Sequence, residues 1–381
     1  MNRELMYLKN LYSSKSIRKL SKIYKKMYKY SLCAVFFNII SCNHRTVNQE
    51  DNFKIIETIK ILYKTNENAD SIFNNIIKPP VEYYFEKIGG LGPFDDEKVD
   101  KIIEFMREKI NILIEEEICL FQVKELSYLF DIKTFLGIEI LSEHNWIELN
   151  LTAGLVITVP ELIIFNDFKI AWNNFVETKL YIDNEMENRT TNEKIIDFYK
   201  SDNNRIMGYK LGTYYRNLIF LSVSFVESYL YNLFCTIEES SVVEKTKTNW
   251  NFNNKTISDI QILDDILFKM YVNIENHISN EYSNYRKLLH LRNRYVHAIP
   301  TINETDQSSN IKPLLDINVE LLVELLQSSI VMVDKIQSIL PEEFKILFWW
   351  DSNVFYFADF KPFQITKPNS RFENFKYEKN P

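Results

Sequence analysis

Glycine is the first thing this sequence lacks, with only seven in 381 residues against an average usage near 7%. A phosphate-cradling loop needs glycines closely spaced between a strand and a helix. The one cluster, Gly89-Gly90-Leu91-Gly92-Pro93, has no Lys-Ser/Thr after it and no dinucleotide-binding spacing. That speaks against P-loop and Rossmann enzymes. Cysteine is equally sparse. Cys33, Cys42, Cys119 and Cys235 are dispersed, with no Cys-x-x-Cys pair and no zinc-type Cys/His spacing, so neither a disulfide framework nor a structural zinc is expected. Scattered single cysteines fit a reducing cytosol, and a cytoplasmic location is the expectation. Histidine supplies only His44, His144, His277, His290 and His297. No two stand at i,i+4 and no Gly-x-Ser-x-Gly elbow exists, so a helical zinc hydrolase and a serine hydrolase both lack their signals. No metal and no cofactor is called for.

A second shortage is local. The net charge of −7 is an average: residues 1–30 carry nine Lys/Arg against Glu4 alone, and the rest of the chain holds 36 basic and 51 acidic residues. An acidic body repels nucleic acid, so any such partner must meet a local basic patch.

What is present is mostly helical in pattern. Residues 1–30 read as a basic, weakly amphipathic arm. The apolar run 31–42 that follows is too short for a bilayer, which takes about 20 residues, although Ile39-Ile40-Ser41-Cys42 fits a lipobox. Residues 52–66 and 96–136 repeat apolar side chains at three- and four-residue intervals, as amphipathic helices do. The triplet Glu115-Glu116-Glu117 reads as a solvated face. Alternation from Trp146 to Leu151 and the β-branched run after Gly154 predict a short hairpin around Thr152-Ala153-Gly154, and Pro160 fits the first turn of the next helix. The polar stretch 183–205 is the best boundary signal. Beyond it, 207–238 reads as a central bundle helix, apolar on most of its circumference. Helices follow at 257–277, capped by Ser258 or Thr256, at 281–297 and at 318–340, stopped by Pro341. The aromatic tail 343–366 reads as packing and not as a base-stacking platform.

One stretch supplies the patch that the charge arithmetic requires. From 286 to 297 stand Arg286, Lys287, Arg292 and Arg294, two histidines, His290 and His297, and no acid. On a helix Asn293 and His297 are i,i+4 and share a face, with Arg292 one step round. Pro300 cannot donate to the carbonyl of Val296, so the helix should end or kink near His297. An imidazole near neutrality serves as general acid or base, and a guanidinium binds phosphate bidentately and stabilises charge at phosphorus. Arg286, Lys287, His290 and Arg294 are candidate phosphate contacts, and Glu227 reads as a supporting polar group inside the bundle.

Arg292-Asn293-Arg294-Tyr295-Val296-His297, late in a helical bundle, resembles the signature of the HEPN superfamily, an Arg, a polar residue, three or four variable residues and a His. The first-helix segment Phe225-Val-Glu-Ser-Tyr-Leu-Tyr-Asn232 is similar to the Glu-containing first helix of many HEPN domains. The likeness covers about residues 207–340. It implies a metal-independent endoribonuclease in which the 2′-OH of RNA attacks the adjacent phosphate, with His297 as acid/base, Arg292 on the phosphate, Asn293 orienting the pair, and a homodimer bringing two motifs together. The tyrosine two residues after the histidine in toxins neutralised by a nucleotidyltransferase is absent here, where Ile299 stands.

The expected fold class is therefore mainly α: a C-terminal four-helix HEPN-like bundle (207–340) preceded by a helix-rich domain of sensing or regulatory role (46–200) with a short β-hairpin, an N-terminal arm (1–45) and an aromatic-rich extension (341–381). The expected partners are RNA and a second copy of the chain, with no DNA readout motif and no membrane. The expected role is a toxin or anti-phage defence effector. Two alternatives stand beside it: a non-catalytic HEPN module that binds RNA or a nucleotide and dimerises, and an envelope protein lipid-anchored through Cys42 in which the motif is coincidence.

Overall fold

The computed structural model describes residues 22–40, 71, 73–79, 96–116, 118–129, 132, 142–143, 145–150, 154–187, 197–240, 257–296, 317–350 and 356–364. Of these, 81% are helical, beside one three-stranded sheet, so the protein is mainly α with a short hairpin. The chain forms two compact units, residues 1–158 with 369–381, and residues 159–368.

In the first unit α1 (Lys22–Ile40) lies against α2 (Asp96–Glu116). Phe36 meets Phe105 edge-on at 6.0 Å, and Lys29 pairs with Asp100. α1 therefore joins the end of the basic arm to the apolar run after it, with Leu32, Cys33 and Phe36 buried. Residues 1–21, Ser41 and Cys42 lie outside the described residues. The hairpin expected around Gly154 is present as β2 (Trp146–Asn150) and β3 (Gly154–Thr158), paired antiparallel. A third strand, β1 (Ile118–Gln122), pairs antiparallel with β2 and corrects the helical reading of that part of 96–136. Its side chains follow the two-residue period of a strand: Cys119 and Phe121 are buried while Ile118 and Leu120 are exposed. The short helix α3 (Val123–Ser127) follows directly, its Glu125 accepting from the Gln122 backbone N–H at 2.7 Å.

The second unit is built on four long helices: α4 (Pro160–Glu187), α5 (Asp202–Glu239), α6 (Val272–Val296) and α7 (Val319–Ile339). Composition placed a boundary at 183–205, but the units divide after Thr158, because Phe165, Phe168, Trp172 and Phe175 bury one face of α4 in the same core as α5. Pro160 opens α4 where its missing N–H costs nothing. α5 packs against α4, α6 and α7, as its broad apolar circumference predicts.

The expected helix at 257–277 is corrected. Ser258 caps a turn, Asp259–Gln261, with Gln261 reaching back to complete a capping box, and a π-helical turn, Ile262–Leu267, follows. The break comes at Tyr271, which leaves helical geometry (φ −131°, ψ 81°), and α6 then runs unbroken through the polar residues Asn276, His277, Ser279 and Asn280. These look like a break in sequence, yet they lie on the solvent face while Ile274, Ile278 and Tyr285 keep the buried stripe going.

After Pro341 the chain returns across α4 and α5. Trp350 stacks on Phe225 (5.6 Å between centroids) and donates from Nε1 to Asp334 at 3.0 Å. Phe357 meets Trp172 edge-on at 4.9 Å. Residues 361–364 are then held on α4 by main-chain bonds. Trp172 Nε1 donates to the Lys361 carbonyl at 2.9 Å, and Asn173 both accepts from the Phe363 N–H (2.8 Å) and donates to its carbonyl (3.0 Å). Lys169, its amine over the Phe165 ring and pushed down to about 8 by burial, donates to the Gln364 carbonyl at 3.1 Å. The described aromatics of the tail are packing groups.

Candidate functional site

The candidate site lies where α5 meets α6 and the turn that begins at Asp259. α6 runs antiparallel to α5, with Tyr295 opposite Phe220 (6.4 Å between centroids) and Arg292 forming an ion pair with Glu227, both half-buried. Of the residues read from sequence, these two are brought together. Burial raises the Glu227 carboxyl above its usual range, opposed by Arg292 and reinforced by Asp259.

Asp259 was not foreseen. It is buried at the start of its turn and accepts a 2.6 Å hydrogen bond from the Tyr285 hydroxyl. Tyr285 stands seven residues before Arg292, two turns back on the same side of α6, and burial with Asp259 beside it pushes its hydroxyl well above the ordinary tyrosine range. Tyr231, one turn after Glu227 on α5, donates from its hydroxyl to the Ile257 carbonyl. Two carboxylates, one guanidinium and two phenols thus tie α5, α6 and the capped turn together. The only sequence signal for Asp259 and Tyr285 was their spacing from Ser258 and Arg292.

Of the remaining cations of this stretch, Arg286 and Lys287 are exposed on α6. Arg286 is exposed and its guanidinium lies 5.8 Å from the Tyr282 ring centroid, while the Tyr282 hydroxyl donates to Asp264 at 2.6 Å. His290 and Asn293 are exposed, following Arg286 at i+4 and i+7. Lys287 donates to Asn284 Oδ1 at 2.9 Å, and the buried Asn284 amide donates to Ser328 and Glu324 of α7 at 2.9 and 3.2 Å. Arg294 is half-buried. His297 and Pro300 lie outside the described residues, and so does His144.

Arg292 has five N–H donors and spends some of them on Glu227, so it can keep that anchor and still offer a fork to a phosphate. Among the described residues no three His, Cys, Asp or Glu side chains converge as metal ligands would. One described helix, Asp202–Glu238, is long and apolar enough to cross a membrane, and half of its most apolar stretch is buried inside the protein. No protein-family model matches the chain, and no curated protein and no solved structure matches it.

Proposed function

We propose that the helical bundle of residues 207–340, inside the unit 159–368, is an RNA-binding, metal-independent endoribonuclease of the HEPN type, in which Arg292, Asn293 and His297 act on one phosphate of the RNA. The observation that supports this most is the anchored arginine. Glu227 holds the Arg292 guanidinium on the side of α6 that faces α5, about 100° round the helix from Asn293, and the exposed stripe of Arg286, His290 and Asn293 contains no acid. A guanidinium fixed in this way is pre-organised to receive a phosphate at small entropic cost.

In the reaction the base takes the proton of a ribose 2′-OH, the freed oxygen bonds to the adjacent phosphorus, and the 5′-oxygen of the next nucleotide leaves with a proton from the acid. A 2′,3′-cyclic phosphate and a 5′-OH remain. His297 is the acid/base, Arg292 neutralises charge growing on the phosphate oxygens, and Asn293 hydrogen-bonds the substrate or the imidazole. The resemblance further suggests a homodimer and a cytoplasmic role in defence or as a toxin.

The non-catalytic RNA-binding module keeps support from the same ion pair, since Glu227 could hold Arg292 for structure alone. The deciding experiment incubates purified protein with total RNA in EDTA. Cleavage by the wild type, falling at least about 100-fold in His297→Ala and Arg292→Ala, is the expected result. RNA bound by every version and cut by none would overturn the nuclease reading in favour of the module.

A further inference from the structure

Two of the seven glycines sit inside α5, where each costs the helix about 1 kcal/mol relative to alanine. Gly208 is covered by the Tyr199 ring. Gly212 is covered by a charge. A Cβ added there would stand 3.3 Å from one terminal nitrogen of Arg216 and 3.8 Å from the other, and 3.5 Å from Ile317. The guanidinium therefore lies along the helix in the space that the missing side chain leaves.

The position of Arg216 matters more than its posture. Arg216, Phe220 and Glu227 fall within about 40° of one another around α5, on one half-buried stripe. Phe220 meets Tyr295 and Glu227 meets Arg292, so this stripe is the one that faces the carboxyl-terminal part of α6. Arg216 stands about 6 Å beyond Phe220 along the helix, in the direction that α6 takes past Tyr295 to Val296. His297 is the next residue of the sequence. Ile317, just before α7, also lies against Gly212, so Arg216 marks the end of the bundle at which α6 runs out and α7 begins.

We propose that Arg216 is a further phosphate-binding cation of the candidate RNA site, on α5 and not on α6, contacting the backbone of the strand on the far side of Phe220 from Arg292. This rests on reading the unit as RNA-binding. Arg292 and Arg216 are separated by about 16 Å of α5, measured from Glu227, so they engage different phosphates: one at the reacting centre, the other flanking it. Arg216 is a substrate-positioning residue that holds the register of the strand and leaves the chemistry to Arg292 and His297.

The test is a fluorescence-anisotropy titration of the full chain with a single-stranded RNA of about 20 nucleotides in EDTA at several salt concentrations, with cleavage of the same RNA followed in parallel. Arg216→Ala should weaken binding about tenfold, as expected for one charged hydrogen-bonded contact, and lower the slope of log K against log salt by about 0.7. Arg216→Lys, which keeps the charge and loses the fork, should recover most of the salt slope and part of the affinity. Gly212→Ala, which crowds the guanidinium and favours the helix, should weaken binding with no loss of thermal stability. Wild-type affinity and slope in Arg216→Ala would overturn the inference, and so would a wild type that binds no RNA. Weakened binding by Arg216→Ala with no cleavage by any version would sustain Arg216 and sink the nuclease reading alone.

Discussion

The two sides of α5 are held by different chemistry. On the side of α4 and the returning tail the contacts are rings and backbone carbonyls: Trp350 on Phe225 of α5, and, between α4 and the tail, Trp172 with Phe357 and Phe363 and Asn173 clasping Phe363. Toward α6 and the capped turn they are charges and phenols: Glu227 with Arg292, Asp259 with Tyr285. Ring packing excludes water, tolerates little change and supplies most of the stability. Half-buried charges contribute little net energy, because desolvation offsets their attraction, but they fix direction. The first side keeps the bundle folded, and the second fixes the half-buried Arg292 guanidinium against Glu227.

The largest effect should come from the first side. Trp172 is fully buried and also donates to Lys361, so Trp172→Ala should cost about 3–5 kcal/mol in chemical denaturation. A cost below about 1 kcal/mol would mean that the tail does not stabilise the unit and would dissolve the contrast.

Next is the exception on that side. Glu161 in the first turn of α4 is 1% exposed, accepts a 3.2 Å hydrogen bond from Ser228 through one oxygen, and finds no donor for the other among the described residues. Burial raises its carboxyl to about 7. The folded state then holds a proton that the unfolded chain releases near 4.5, so stability is full at low pH and falls as pH rises from there through 7. The loss is about 3 kcal/mol by linkage. Glu161→Gln should flatten the profile and raise the melting temperature at pH 8 by several degrees. An unchanged profile in thermal melts from pH 5 to 8 would show that the carboxyl is solvated.

The legible parts of the fold were those with local causes. Pro160, Ser258 and Pro341 each act within a few residues, and each stands where the sequence predicts, as do the two paired strands on either side of 151–153. β1 was missed because its partner β2 begins at Trp146, more than twenty residues on, and nothing within 118–122 announces that pairing. The break at Tyr271 was misplaced because polar residues at 276–280 carry the same local signal on a solvent face as at a helix end. The candidate site divides in the same way. Arg292 could be read from one short stretch and its partner Glu227 from its own helix, whereas Asp259 already has a local explanation, a negative charge at a helix start. Its bond to Tyr285, 26 residues away, has no signature in the sequence.

The smallest effect should separate orientation from stability on the charged side. The Glu227 and Arg292 side chains are 29% and 26% exposed, so solvent screens the pair and the coupling in a double-mutant cycle should be about 1 kcal/mol or less. Removing the anchor nevertheless frees the guanidinium to sample rotamers. Glu227→Gln, which keeps a hydrogen-bond acceptor without the charge, should therefore leave the melting temperature within about 2 °C of the wild type while weakening phosphate-dependent RNA binding several-fold. Arg292→Lys should do the same through loss of the fork. A Glu227→Gln protein that loses stability and keeps its RNA affinity would reverse the assignment, making the pair a structural strut and leaving the exposed stripe of Arg286, His290 and Asn293 as the binding surface in its own right.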